Sequence, residues 1–209
     1  MITALHGFLG LPSDWDFLRS DGFEIETPAL EAIPPSGDTL LGYSLGGRMA
    51  LHALVGGSTY RRAVIVSANL GIEGDDARAA RRRADEHWAR RFETQQWETL
   101  MHDWNAQPLF GGHATPRHER DFDRATLAHQ LRGLSPALLP PMAEKLSSIT
   151  IPVLWIAGER DSKYIAEAER AVSLLPNAES WICAGSAHRV PWEQPERFVR
   201  KLWEFVGLR

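Results

Sequence analysis

The chain of 209 residues contains one cysteine, Cys183. No internal disulfide can form, and a reducing compartment is the expected setting. No apolar run approaches the ~20 residues needed to cross a bilayer. The N-terminus opens on the strand-like ITAL, not on a basic and apolar leader. Charge of neither sign dominates: 23 Lys and Arg against 27 Asp and Glu leave a net charge of -4. That balance gives no reason to expect a nucleic acid or an anionic membrane as partner. Internal repeats and low-complexity tracts are missing. The histidines lack ligand spacing with cysteines or carboxylates, so neither a metal nor an organic cofactor is expected. With 44% hydrophobic residues, the expectation is a soluble cytoplasmic protein with a full-sized core. Cys183 lies in the apolar run WICA and is expected to be a buried structural thiol.

The richest stretch is DTLLGYSLGGRMALH, residues 38–52. A short apolar strand passes through Gly42-Tyr43-Ser44-Leu45-Gly46 into a helix-like segment, which is the pattern of a nucleophile elbow. A strained turn there lifts the Ser44 hydroxyl above the sheet edge and aims the first helix amides at whatever the serine meets. Side chains at Gly42 or Gly46 would strike the neighbouring strand or helix. The pattern resembles that of the α/β-hydrolase fold.

Strand patterns recur at residues 2–5, 23–27, 39–43, 63–67, 151–157 and 179–183. Residues 29–37 are short and hold two prolines, so they cannot carry a long crossover helix. Between residues 69 and 149 the strands vanish. Helical, charged and aromatic pieces take their place at 75–92, 94–105, 116–131 and 138–146, punctuated by Gly and Pro. Helices are expected again at 165–175 and 195–206. The expected fold is α/β: a minimal, mostly parallel sheet of about six strands with a helical cap insertion. Its core is residues 1–70 and 149–209, and its cap is residues 71–148.

A serine hydroxyl needs a histidine to accept its proton and an acid to orient that histidine. Asp161 follows the fifth strand and His188 follows the sixth, so Ser44, Asp161 and His188 stand in the chain order of an α/β-hydrolase triad. Glu159 is a rival acid, and Asp161 in isolation reads equally as a helix N-cap. The loop after the first strand, His6-Gly7-Phe8, is where this fold supplies its second oxyanion amide, so the hole is assigned to the N–H groups of Phe8 and Leu45. His6 is expected to hydrogen-bond its own loop.

Several phrases combine into something narrower. LHGFLG with Asp14-Trp15, GYSLGGRMAL and SANLGIEGDDARAARRRADEHWARRF are three of them. DWNAQPLF, GERDSKY and HRVPWEQPERF complete the set. Together they resemble the 2-succinyl-6-hydroxy-2,4-cyclohexadiene-1-carboxylate synthase family of menaquinone biosynthesis. The resemblance implies a lyase that eliminates pyruvate from 2-succinyl-5-enolpyruvyl-6-hydroxy-3-cyclohexene-1-carboxylate, with the triad serine acting as base. Such a substrate is a small polycarboxylate, and its carboxylates call for guanidinium forks. Arg48, four residues after Ser44, lies one helical turn along on the same face. By the family's pattern Arg81, Tyr43 and Trp104 also line the pocket. Arg120 is the further carboxylate binder, with Arg117 or Arg124 as alternatives, while Arg82, Arg90 and Arg91 are expected on a solvated face. The chain departs from the family in having no strand pair before the HGF loop and a shrunken segment 29–38. One sheet face is therefore expected to be thinly covered, with a monomer or weak homodimer as the assembly. Ser186 stands where relatives often place the histidine. The rival readings are a carboxylesterase, thioesterase or C–C bond hydrolase working through an acyl-enzyme, and a non-catalytic receptor whose triad would have decayed.

Overall fold

The computed structural model describes residues 1–207. Strand β1 (Ile2–Leu5) leads through a 3-10 turn (Pro12–Trp15) into α1 (Asp16–Ser20), β2 (Ile25–Glu26) and β3 (Ser36–Tyr43). Helix α2 (Leu45–Val55) and β4 (Thr59–Val66) follow, then α3 (Asp75–Thr94), α4 (Trp97–Asn105) and α5 (Arg124–Gly133). The chain closes with β5 (Val153–Gly158), α6 (Ser162–Leu174), β6 (Ala178–Cys183), α7 (Val190–Glu193) and α8 (Pro195–Val206). All six strands are parallel, in the order β2-β1-β3-β4-β5-β6.

Two compact units divide the chain. The first comprises Met1–Leu70 with the segment from Met142 onward. In-register residues share a sheet face: Leu41, Val64 and Leu154 line up, as do Tyr43, Val66 and Ile156. This face packs on Trp15 and Leu18 and on Phe198, Leu202 and Val206 of α8. Burying side chains such as Phe198 and Leu202 contributes about 2 kcal/mol each before the entropy of ordering them is counted. On the other face α2 packs against β1, β3 and β4, and α6 packs against β5 and β6. Both faces are thus covered by helices. Among the described residues the exposed large apolar side chains are Met1, Leu138, Leu174 and Ile182. The expected thin face is absent because α1 and α8 cover what the shortened crossover leaves bare. Cys183 is fully buried and unpaired.

The second unit is Gly71–Pro141. It ends seven residues before the expected boundary at 148, because the Met142 amide donates to the Leu70 carbonyl at 2.8 Å. The 3-10 stretch Ala143–Ser148 then packs on α2 and α6 in the first unit. No α-helix spans 138–146, since Pro140 and Pro141 remove two amide donors. The helix expected at 116–131 is broken too. Asp123 caps a fresh start, its carboxylate accepting the Thr126 amide at 2.9 Å. Within this unit α3 packs on α5, and Arg132 of α5 reaches Glu86 and Glu93 of α3 at 2.7 and 2.5 Å. Among the described residues no helix is long and apolar enough to cross a membrane.

Candidate active site

The site starts at the turn between β3 and α2. Ser44 has φ 52° and ψ -110°, a backbone state that L-residues adopt only when the surroundings enforce it. The surroundings are two glycines in close contact. A Cβ at Gly42 would lie 2.6 Å from the Gly46 carbonyl oxygen, and one at Gly46 would lie 2.4 Å from that of Leu5. The elbow forms because those positions carry no side chain.

His188 reaches the serine from the loop after β6, with Nε2 at 3.1 Å from Ser44 Oγ. On its other side Nδ1 is 2.7 Å from Asp161 Oδ2. A carboxylate only accepts, so Nδ1 carries the proton and Nε2 is left to accept from Ser44. Asp161 and His188 are 5% and 1% exposed. Burial pushes the His188 imidazole below its ordinary value, against the opposing pull of Asp161. The ring is therefore neutral near pH 7, the form in which it accepts a proton. Tyr164 and Tyr43 flank it, with ring centroids at 4.4 and 5.5 Å.

Asp161 precedes α6, yet its side chain does not cap that helix. Its carboxylate is committed to His188. Glu159, the rival acid, instead accepts the Gly185 amide at 2.9 Å and ties two loops together. Ser186 is fully buried and donates to the Cys183 carbonyl at 2.9 Å, a turn contact. His6 Nδ1 lies 2.8 Å from the Gly7 carbonyl and so fixes the loop that carries Phe8. Leu45 is the first residue of α2, so its amide is one of the helix's unsatisfied first donors.

Tyr43 and Arg48 belong to the same unit as the triad. Burial holds the Tyr43 hydroxyl far above its usual range, opposed by the positive charge of Arg189, so it stays a neutral phenol. Arg48 lies on α2 and is 4% exposed. The remaining candidates sit in the second unit. Arg81 donates to Asp85 at 2.8 Å, and Asp85 also accepts from Ser135 at 2.5 Å. The Trp104 ring packs among Trp88, Phe92 and Phe110. Arg120 is exposed and borders a cavity of about 810 Å³ that is also lined by Trp97, Met101, Pro116 and Arg117.

Two arginines behave differently from their sequence reading. Arg124 donates to the carbonyls of Phe92 and Gln95, closing the end of α3. Arg91 is half-buried, not solvated: it pairs with Asp103 and lies over the Trp88 ring at 4.3 Å. Sequence reasoning missed Glu193 of α7, which accepts the Ala187 and Arg189 amides on either side of His188, and Trp192 of α7, whose ring meets that of Tyr43 at 4.8 Å. That helix has only four residues and so shows no periodicity.

Comparison with known proteins bears on the family and the fold. A model of the alpha/beta hydrolase family matches residues 4–201. The 2-succinyl-6-hydroxy-2,4-cyclohexadiene-1-carboxylate synthase of Salmonella typhimurium is 31% identical over 176 residues, covering 81% of this chain and 68% of that protein. The enzyme of the same name from Salmonella arizonae matches with the same figures. In three dimensions, the structure of MenH from S. aureus aligns with a TM-score of 0.87 at 22% identity, over 99% of this chain and 92% of that one. A malate-bound thermophilic esterase from Thermogutta terrifontis aligns at 0.75 and 17% identity, over 99% and 89%. Both structural alignments run over nearly the whole chain and show the fold; the family is shown by the 31% identity to the synthases. This chain belongs to the 2-succinyl-6-hydroxy-2,4-cyclohexadiene-1-carboxylate synthase family of α/β hydrolases.

Proposed function

We propose that the chain is a carbon–oxygen lyase of menaquinone biosynthesis. It eliminates pyruvate from 2-succinyl-5-enolpyruvyl-6-hydroxy-3-cyclohexene-1-carboxylate to give 2-succinyl-6-hydroxy-2,4-cyclohexadiene-1-carboxylate. One observation carries the reading: a buried Ser44–His188–Asp161 relay with a neutral imidazole in a member of the synthase family.

In this reading Ser44 Oγ takes a ring proton as its own proton passes to His188 Nε2. The electron pair released expels pyruvate as its enolate, the C–O bond breaks, and the enolate takes the proton held on His188 to become pyruvate, which resets the relay. Charge that develops on the succinyl carbonyl is met by the Phe8 and Leu45 amides. The Asp161 carboxylate stabilises the imidazolium while it exists. No acyl-enzyme forms. Arg48, Arg81 and Arg120 receive substrate carboxylates, and Tyr43 and Trp104 line the pocket. The protein works in the cytoplasm on this small polycarboxylate, as a monomer or weak homodimer, without nucleic acid or membrane.

The test is pyruvate release, followed by a coupled assay, from substrate generated in situ by the preceding pathway enzyme. Wild type and Ser44→Ala are compared, with a short-chain nitrophenyl ester as control. Fast, serine-dependent release with negligible ester cleavage supports the lyase. Robust ester cleavage without pyruvate refutes it.

A further inference from the structure

The loop bearing His188 is gripped from one place. Glu193 ends α7, and its side chain is 4% exposed. One carboxylate oxygen accepts the Ala187 amide at 2.8 Å and the other accepts the Arg189 amide at 2.9 Å. These are the residues immediately before and after His188. A third donor, Arg160 Nη2, reaches Glu193 Oε2 at 3.2 Å and the Gly185 carbonyl at 3.0 Å. Arg160 adjoins Asp161, so the same carboxylate touches both loops that carry the relay.

A helix-capping role alone does not account for this. Arg189 is the N-cap residue of α7, and a glutamate reaching back to that amide resembles a capping box displaced by one residue. The Ala187 amide lies two residues upstream, outside the helix and beyond the histidine. A cap has no use for it. Desolvating a carboxylate is costly unless hydrogen bonds replace its water. Here two main-chain donors that bracket one side chain supply the replacement. The Arg160 pair is more than half exposed on the arginine side and adds little on its own.

We infer that Glu193 is a positioning residue for the reaction: by clamping the amides on either side of His188 it fixes the height and tilt of the imidazole between Ser44 and Asp161. Its connection to pyruvate elimination rests on the function proposed above. The geometric claim concerns the relay whatever its substrate.

The decisive variant is Glu193→Gln, which keeps the shape but offers one acceptor oxygen and turns an NH2 group toward the second amide. In folded Glu193→Gln, kcat is expected to fall about a hundredfold, as a misplacement near 1 Å would cause. KM should stay within about twofold, because no group that contacts substrate is changed. The proton shared between His188 Nδ1 and Asp161, read by NMR as a far-downfield resonance, should shift or broaden in the free protein. Glu193→Asp, with a shorter reach, should not restore kcat. A folded Glu193→Gln with wild-type kcat and an unmoved resonance would overturn the inference, even if its melting temperature drops, since that is the signature of a cap alone. Activity is taken as the ratio of variant to wild type on whichever substrate, enolpyruvyl compound or ester, wild type turns over. The resonance needs no substrate, so failure of the lyase reading and failure of this one are read separately.

Discussion

Ser44 and Ser67 occupy neighbouring positions just past the carboxyl ends of β3 and β4, and both are held with positive φ, 52° and 48°. The Ser44 amide donates to the Val66 carbonyl and the Ser67 amide to that of Ile156, each at 2.8 Å. Each strand therefore continues its ladder by one amide before turning sharply. Such backbone states cost on the order of 1–3 kcal/mol per residue and gather where a side chain must be aimed. At Ser44 the strained turn carries the reacting hydroxyl. Ser67 is fully buried and its hydroxyl has no hydrogen-bond partner, so it carries a second cost at the same point.

The strain at Ser44 and the unpaired hydroxyl at Ser67 set the expected stabilities of three variants. Ser44→Gly should be inactive yet more stable by about 1 kcal/mol, since glycine adopts the turn without strain. Ser44→Ala should be equally inactive and close to wild type in stability. Ser67→Ala removes a buried, unpaired hydroxyl and should also stabilise, by about 1 kcal/mol. Urea midpoints report all three. A lower midpoint for Ser67→Ala would mean that its hydroxyl is bonded in solution.

The His188 environment sets the pH dependence. Its value lies below the ordinary 6.5, chiefly through burial, so the acid limb of kcat/KM should fall below pH 6.5 and the rate should be flat near neutrality. For stability the sign is the same. Below 6.5 the unfolded chain takes up the proton more readily than the folded one, so this residue favours unfolding increasingly as pH drops toward its folded value. Above 6.5 it contributes nothing. Asp161→Asn can turn an amide donor toward Nδ1, which holds the ring in the wrong tautomer, and should lower kcat by about ten-thousandfold. An acid limb centred above 6.5 would contradict the burial account, and a fully active Asp161→Asn would remove Asp161 from the relay.

The parts of the site legible in the sequence were those dictated by sterics and chain order. Gly42 and Gly46 bracket Ser44 because the strand and helix meet there at contact distance. Asp161 follows the wholly buried β5 and His188 follows the edge strand β6, and a parallel sheet brings such ends together. The first residues of β3 and β4 were missed because their edge ends are polar and exposed: Ser36 pairs with Thr59 by main-chain bonds alone. The φ of Ser67 leaves no mark in AVIVS. Glu193 reads as one charge among several in PWEQPER, and its role depends on a four-residue helix folding back on the loop before it. Local propensity does not encode such a contact.

Arg48 tests the substrate assignment. A guanidinium 4% exposed on the helix that follows the nucleophile is suited to a desolvated carboxylate. If Arg48 receives one, losing that contact costs a few kcal/mol, and Arg48→Ala should lower kcat/KM for pyruvate release by about 10²–10³. Arg48→Lys should recover little, because a point charge does not replace a planar fork. Steady-state kinetics that match wild type in both variants would remove the carboxylate clamp from Arg48.

Arg81 and Asp85 separate a binding role from a structural one within the helical insertion. Asp85 is 5% exposed and accepts from Arg81 Nε and from Ser135, whose Oγ in turn accepts the Ala137 amide at 3.0 Å. Asp85→Ala leaves that network without its acceptor and should cost about 2–4 kcal/mol in a denaturant titration. Arg81 is more than a third exposed, and its pair with Asp85 spans one helical turn. Such a pair is worth only about 0.5 kcal/mol, so Arg81→Ala should barely move the midpoint. If Arg81 also receives a substrate carboxylate, KM should rise tenfold or more at that unchanged stability, consistent with an energy of about 1.4 kcal/mol or greater. A lowered midpoint with an unchanged KM would assign Arg81 to Asp85 alone, and the carboxylate contact would have to come from another arginine.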